Sequence, residues 1–437
     1  MKERISLCSA GSGERNIRQG PEAKKGLRCE ICTGCGLCPG IISKSSGAGG
    51  LHVLAENVLQ GGSVPIAGSR RLAVADIGTT TVAMLLYDRK GEVADRYVAL
   101  NPQAAYGADV ISRIREAEDP EAAGAMHGQI RQVLEQGLER FRRLLEDGET
   151  LYLVLAANTT MTYLLMGWDA AELGRAPFRA SRLSGAETEI GGAPCFIFPG
   201  LSAFVGGDIV AGIMACGMCE REELTLLIDL GTNGEMVLGS SKRRIACATA
   251  AGPAFEGGVN RGVWGSDMIS LLARLRQEGI LDETGLLAEP YFEKGIRIGN
   301  VTVTQEAVRS VQLAKGAIAA GIEILLDRFG VGSEAVERVV LAGGFGYFLR
   351  PEAAAAIGLL PEELAEKAVA GGNTALSGAL LAGRQILAEG GHTDLVRRLT
   401  ETALRTEVLN LAEEPEFENR YVKLMNLQAL DSARNLQ

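Results

Sequence analysis

Two copies of one short pattern dominate this sequence: Val74-Ala75-Asp76-Ile77-Gly78-Thr79-Thr80-Thr81 and Leu227-Ile228-Asp229-Leu230-Gly231-Thr232-Asn233-Gly234. The two aspartates lie 153 residues apart (76 to 229). Each copy is an apolar strand running into Asp-x-Gly-Thr, followed by a second apolar strand, Val82 to Tyr87 or Glu235 to Leu238. Glycine with hydroxyl neighbours lets the backbone turn tightly and point N–H and O–H donors at a polyphosphate. A carboxylate at the strand end can hold Mg²⁺, directly or through water. Two such hairpins at domain-sized separation constrain the fold to two related halves closing on one nucleotide.

The rest of the chain repeats that order. Strands are expected at 72–77, 81–87 and 92–99, then helix over roughly 107–146 with a break at Asp119-Pro120, then a buried strand from Leu151 to Ala156. The second half offers strands at 224–230, 234–239 and 244–249, helices at 266–278 and 304–329, and the strand Arg338 to Ala342, ending in Gly343-Gly344-Phe345-Gly346. Interleaved strands and helices predict mixed sheets covered by helices, one sheet per half, with the active cleft between them. The expected organisation is a cysteine-rich head (1–40), a linker (41–71), a first subdomain (72–222) and a second (223–437) whose tail holds one helix and an extended stretch from Thr406 to Leu411.

Hydrophobic residues at 46% and charged residues at 22% allow an ample core. A net charge of −10 argues against nucleic acid or an anionic membrane as partner. No apolar run is long enough to span a bilayer and the N-terminus lacks the apolar core of a secretion signal, so a cytoplasmic protein is expected. Of nine cysteines, five fall within the first 38 residues, which calls for a metal explanation rather than disulfides.

Beyond the hairpins, Ser202-Ala-Phe-Val-Gly-Gly-Asp-Ile-Val-Ala-Gly, Leu341-Ala-Gly-Gly-Phe-Gly and Gly371-Gly-Asn-Thr-Ala-Leu-Ser-Gly-Ala follow in order. The whole set resembles the actin-like ATPase superfamily, with its sugar and acetate kinases, chaperone ATPases and actin. Asn101-Pro-Gln-Ala-Ala-Tyr-Gly-Ala-Asp-Val-Ile-Ser-Arg-Ile, Asn158-Thr-Thr-Met-Thr and Thr249-Ala-Ala-Gly-Pro-Ala-Phe-Glu-Gly-Gly are similar to the reductive activators of corrinoid-dependent methyl-transfer proteins. The similarity covers about residues 72–430. It implies a duplicated, ribonuclease H-like α/β fold and an ATPase that returns cobalt(II) corrinoid to cobalt(I).

Carried over residue by residue, the superfamily pattern puts Asp76 and Asp229 near Mg²⁺. Gly78, Thr79, Thr80 and Thr81 would meet the phosphates of ATP from one side, and Gly231, Thr232, Asn233 and Gly234 from the other. Gly343, Gly344 and Gly346 would let the backbone pass close to adenosine, and Glu235 could orient the attacking water. Asp208 and Glu256 lie in family-like segments, but a helix cap or loop hydrogen bond accounts for each about as well.

The head carries Cys29-x2-Cys32-x2-Cys35-x2-Cys38-Pro39, whose tandem gaps resemble the ligand run of bacterial ferredoxins and point to a [4Fe–4S] cluster. The three-residue gap usual before the last Cys-Pro is missing, so either Cys29 is the fourth ligand or Cys8 reaches in. Zinc, which takes knuckles separated by a loop, is the alternative metal. The better-known corrinoid activators resemble plant-type [2Fe–2S] proteins at the N-terminus; this head does not. Cys195, Cys247 and the pair Cys216-x2-Cys219 read as packing residues, and His52, His127 and His392 as surface residues.

An ATPase joined to a one-electron centre makes sense if nucleotide binding drives an uphill transfer. A gap of ~200 mV corresponds to about 4.6 kcal/mol. The nucleotide states must then bind the partner's two redox forms with a comparable difference. The expected partners are a corrinoid protein and a reduced ferredoxin-like donor, and the sequence allows a homodimer without specifying one. Three other readings compete: an activator of 2-hydroxyacyl-CoA dehydratases, a small-molecule kinase with Asp229 or Asp208 as base, and a non-hydrolysing nucleotide sensor.

Overall fold

The computed structural model describes residue 66 and residues 68–231, 233–249, 265–298, 301–388 and 391–430. The cysteines at 8, 29, 32, 35 and 38, as well as His52, Thr232 and Glu256, lie outside the described residues.

The first half opens with β1 (Arg70–Ile77), β2 (Thr81–Tyr87) and β3 (Val93–Leu100), followed by helices α1 (Val110–Glu116) and α2 (Pro120–Arg142). Then come β4 (Thr150–Ala157), α3 (Thr159–Met166), β5 (Ala186–Ile190), β6 (Ala193–Ile197) and α4 (Gly207–Ala215). The second half supplies β7 (Thr225–Leu230), β8 (Gly234–Gly239), β9 (Arg244–Thr249), α5 (Gly265–Gln277), a two-stranded ribbon β10 (Ile296–Ile298) and β11 (Val301–Val303), and α6 (Gln305–Phe329). It continues with β12 (Arg338–Ala342), α7 (Gly343–Gly346), β13 (Ala368–Gly372), α8 (Thr374–Leu387), α9 (Gly391–Leu404), β14 (Thr406–Leu409) and α10 (Phe417–Lys423).

The strands form two six-stranded mixed sheets, ordered β3-β2-β1-β4-β6-β5 and β13-β12-β7-β8-β9-β14. In each, a three-strand antiparallel meander meets a parallel strand at its first member: β1 pairs with β4, and β7 with β12. The register makes the halves equivalent. Asp76 lies opposite Ala83 on β2 and Ala156 on β4, while Asp229 lies opposite Glu235 on β8 and Ala342 on β12. Both aspartates therefore end a central strand at the side where ligands bind in such sheets.

Burial explains why these strands were legible. Leu72 to Ala75 and Leu151 to Ala157 are buried on both faces, as central strands with parallel partners require. One face packs on α2, whose Met126, Ile130, Leu134, Leu138 and Phe141 recur at helical spacing. Gly137 lets that helix lie close: a Cβ there would come within 2.4 Å of Met84 Sδ.

The opposite faces of the two sheets hold an exchanged pair of helices. α8, from the second half, packs Ala375, Leu376, Ala379 and Leu380 on Leu72, Val74 and Val154 of the first sheet. α4, from the first half, packs Ile209 and Ile213 on Leu227, Val237 and Val340 of the second. The two cross where Gly378 faces Ala211, and a Cβ on Gly378 would lie 2.1 Å from the Ala211 carbonyl oxygen. A covering helix per sheet was expected; which half supplies it depends on contacts that local pattern does not carry.

Three details differ from expectation. β1 starts at Arg70 rather than 72, and Ile66 is already buried in the first sheet's core, its N–H donating to Arg89 O at 2.9 Å. The tail holds two helices instead of one; α10 buries none of its residues, so it left no apolar signature. His127 is half-buried, with Nδ1 3.2 Å from Leu164 O. Cys195, Cys216 and Cys247 are buried packing residues, as expected. Among the described residues no helix is long and apolar enough to cross a membrane.

Candidate nucleotide site

Each Asp-x-Gly-Thr segment sits where an antiparallel pair turns. In the first, Gly78 N donates to Thr81 O at 2.8 Å; in the second, Gly231 N donates to Asn233 O at 3.0 Å. The turns are brought together by the start of α8. Asn373 caps that helix, its Oδ1 accepting from Leu376 N at 2.8 Å, while its Nδ2 donates to Asp76 Oδ2 at 2.7 Å. The next residue, Thr374, directs its hydroxyl at Asp229 Oδ2, 3.5 Å away. Two consecutive side chains at one helix terminus thus touch both aspartates.

Two further carboxyls join them. Asp208, in the first turn of α4, accepts from Ile209 N at 2.8 Å, yet the charges of Asp229 and Asp76 also act on it, and its own acts on Glu235. The helix-cap explanation is therefore incomplete: Asp208 belongs to the acidic cluster. Glu235 is 7% exposed, directly across the strand pair from Asp229, and accepts from Asn233 Nδ2 at 3.2 Å. Two ionised carboxylates facing each other across a strand pair would oppose folding.

All four carboxyls hold their protons more tightly than usual. Burial raises Asp76 from 3.8 to about 6, against the lowering effect of Asn373. Burial and the neighbouring Asp76 raise Asp229 to about 7, and burial with Asp229 and Asp76 raises Asp208 to about 8. Glu235 is pushed well up by burial, then by Asp208 and Asp229. None of the leading influences on them is a lysine or arginine.

Such a set of hard oxygen donors, short of positive charge, suits a divalent cation. Among the described residues no three acidic, histidine or cysteine side chains are grouped closely enough to ligate one ion together. An ion there would have to be held partly through water, as Mg²⁺ usually is beside phosphates.

The sign of the pH effect follows. A carboxyl whose folded value exceeds its unfolded value keeps its proton in the native state after the unfolded chain has lost it. Stability then falls as pH rises from about 4 through the raised values toward 8. The nucleotide-free protein is expected to melt at a lower temperature at pH 8 than at pH 5 for this reason, with Mg²⁺–ATP restoring stability most at the higher pH. Asp208→Asn should flatten that slope and add about 1–2 kcal/mol at pH 8, allowing for solvent screening of a half-buried side chain. Calorimetric melts across this range test it; an identical slope in the variant would contradict the cluster's role.

The threonines of the first turn differ in exposure. Thr79 is 4% exposed and its hydroxyl accepts from Asn158 Nδ2 at 3.3 Å, so it faces inward; Thr80 and Thr81 are half-exposed. Gly343 has φ +80°, and a Cβ there would lie 2.4 Å from Asp229 Oδ1, so its first role is to let β12 turn beneath that carboxylate. A Cβ on Gly344 would meet nothing within 4 Å, and one on Gly346 would make only ordinary contacts. Sequence reasoning missed Asn373 and Thr374 as site residues. Both lie in the segment Gly371-Gly-Asn-Thr-Ala that carries part of the superfamily resemblance, but the segment alone gave neither side chain a role.

Two mixed sheets with matched Asp-x-Gly-Thr turns, clasped by an exchanged helix pair, define an actin-like ATPase. The profile of the RACo middle region matches residues 72–221, and that of the C-terminal domain of RACo, the ASKHA domain, matches 223–261 and 258–435. The chain belongs to the RACo family.

It is 30% identical over 418 residues to the corrinoid activation enzyme RamQ of Eubacterium limosum, covering 79% of this chain and 68% of the relative. It is 24% identical over 346 residues to the [Co(II) methylated amine-specific corrinoid protein] reductase of Methanosarcina barkeri, covering 65% and 62%. A solved structure of a reductive activator for corrinoid, iron–sulfur protein superposes with a TM-score of 0.73 at 30% identity, over 84% of this chain and 67% of that one. The chain thus spans about two thirds of the length of these relatives.

Proposed function

We propose that this protein is an ATP-dependent reductive activator of a corrinoid protein, returning cobalt(II) to cobalt(I) by delivery of one low-potential electron. The observation that carries the reading is the contact of Asn373 and Thr374 with Asp76 and Asp229, which ties both halves to one site in a chain of the RACo family. Relatives named for corrinoid activation supply the substrate class.

Asp76, Asp229 and Asp208 would hold a hydrated Mg²⁺, which supplies the charge that balances the phosphates of ATP. Gly78, Thr79 (through its N–H), Thr80 and Thr81 would face those phosphates from the first half, and Gly231, Thr232, Asn233 and Gly234 from the second. Gly343, Gly344 and Gly346 would border adenosine. Glu235, opposite Asp229, would position the attacking water. Closure on nucleotide and opening after hydrolysis would act on the α4–α8 crossing, because that pair contributes to the cores under both sheets.

Cys29, Cys32, Cys35 and Cys38, with Cys8 as the alternative fourth ligand, supply thiolate donors suited to a [4Fe–4S] cluster, whose chemistry would be single-electron transfer. A reduced ferredoxin-like protein would be the donor, and a homodimer is compatible with this scheme. Anaerobic purification followed by iron and acid-labile sulfide analysis tests the redox half of the reading. About four of each per chain are expected, and iron-free protein would contradict it.

A further inference from the structure

We propose that Asn101 and Arg113 are positioning residues that shape the first phosphate-binding turn, by drawing its carbonyls backward so that its N–H groups face the polyphosphate. This deepens the reading given above and rests on it.

Both side chains are fully buried, at 0% exposure. Asn101 Nδ2 donates to Gly78 O at 2.9 Å, and its backbone N–H donates to Thr80 O, also at 2.9 Å. Arg113 Nη2 donates to the carbonyl between them, Thr79 O, at 2.6 Å. Three successive carbonyls, 78 to 80, are therefore each engaged from the same small region of chain. In a trans peptide the C=O of one residue and the N–H of the next point in opposite directions. Holding carbonyls 78, 79 and 80 back turns the N–H groups of Thr79, Thr80 and Thr81 the other way, into the concave arrangement that binds anions. A guanidinium behind the turn also adds a fixed positive charge beneath the phosphate position.

The support is itself braced. Arg113 Nε donates to Gly107 O at 2.9 Å, and the helix carrying Arg113 is capped by Asp109, which accepts from Ser112 N at 2.8 Å. Gly107 admits no side chain, since a Cβ would lie 2.5 Å from Ser112 Cβ. Asn101 Oδ1 accepts from Gln103 N at 3.1 Å, and Gln103 Nε2 donates to Met126 O of α2 at 3.0 Å. The segment from Asn101 to Arg113 thus ties the turn to the rigid helical layer.

The test uses the full chain and compares Mg²⁺–ATP with adenosine, which has no phosphate to contact the turn. Asn101→Ala and Arg113→Met are expected to weaken Mg²⁺–ATP binding, and to raise KM for ATP, by roughly ten- to hundredfold. Adenosine affinity should stay unchanged, and Arg113→Lys should recover part of the loss by keeping the charge. Should Arg113→Met fail to fold, Asn101→Ala carries the test, because it removes one amide and leaves the backbone donor. Equal weakening of both ligands alongside a lowered melting temperature would overturn the inference, as would unchanged ATP affinity in folded variants. Wild-type protein that neither binds nor hydrolyses ATP would instead sink the proposed function itself.

Discussion

Asp229→Asn is expected to reduce ATP hydrolysis roughly 10²–10³-fold, the scale lost when one preorganised electrostatic group is removed from an active site. Asp229 ends β7, faces Asp76 and Glu235, and is approached by the Thr374 hydroxyl. Asparagine keeps the shape and can still pair with Thr374, so the fold should survive. What disappears is one of the charges that a magnesium ion would balance. The same change removes a carboxyl that burial holds at about 7, so the nucleotide-free variant should be as stable as the parent or more so above that pH. Phosphate release at saturating Mg²⁺–ATP, paired with a thermal melt, checks both halves. Near-parental hydrolysis, or a variant that simply unfolds, would contradict this assignment.

Gly378→Val is expected to destabilise the protein by about 3 kcal/mol or more, because overpacking here meets main chain rather than a movable side-chain tip. Its Cβ would lie 2.1 Å from Ala211 O and 2.6 Å from Ala211 Cα, at the crossing of α8 over α4. Either helix must shift, and each is packed on a different sheet. A control comes from Gly124 in α2, where a Cβ would meet nothing within 4 Å and φ is not positive. Gly124→Ala should stabilise by up to about 1 kcal/mol through helix propensity alone. Denaturant midpoints for the two variants should move in opposite directions. If Gly378→Val unfolds at the parental midpoint, the helices do not cross as closely as described.

What the chain reveals in advance depends on whether a feature is local. β1, β4, β7 and β12 are continuous apolar runs because helices cover both of their faces, and the turns after β1 and β7 carry glycine and hydroxyl residues in sequence. The periodicity of α2 and α6 was equally plain. β13, Ala368–Gly372, escaped notice because Ala-Val-Ala-Gly-Gly has only one of the branched residues that mark strands, and Gly371 is held close to Val340. The exchange of α4 and α8 was hidden for a related reason: an apolar face shows that a helix is buried, not which sheet buries it.

The site divides in the same way. Asp76 and Asp229 were visible as a repeated pattern, but Asn373 acts on Asp76 across 297 positions. Asp208 looked like an ordinary acidic residue at a helix start, and only its proximity to three other carboxyls separates it from one. Thr79 shows the same limit: its place in the turn was legible, but not that its hydroxyl turns inward to Asn158.

In the proposed function a nucleotide cycle and a one-electron centre act together on a corrinoid partner. The most direct measurement mixes anaerobically prepared protein, a reductant-poised donor and a cobalt(II) corrinoid protein, and follows the visible spectrum with and without Mg²⁺–ATP. Cobalt(I) should accumulate with ATP and fail to do so when ATP is withheld or when Asp229→Asn replaces the parent. Equal reduction in all three samples would contradict the account.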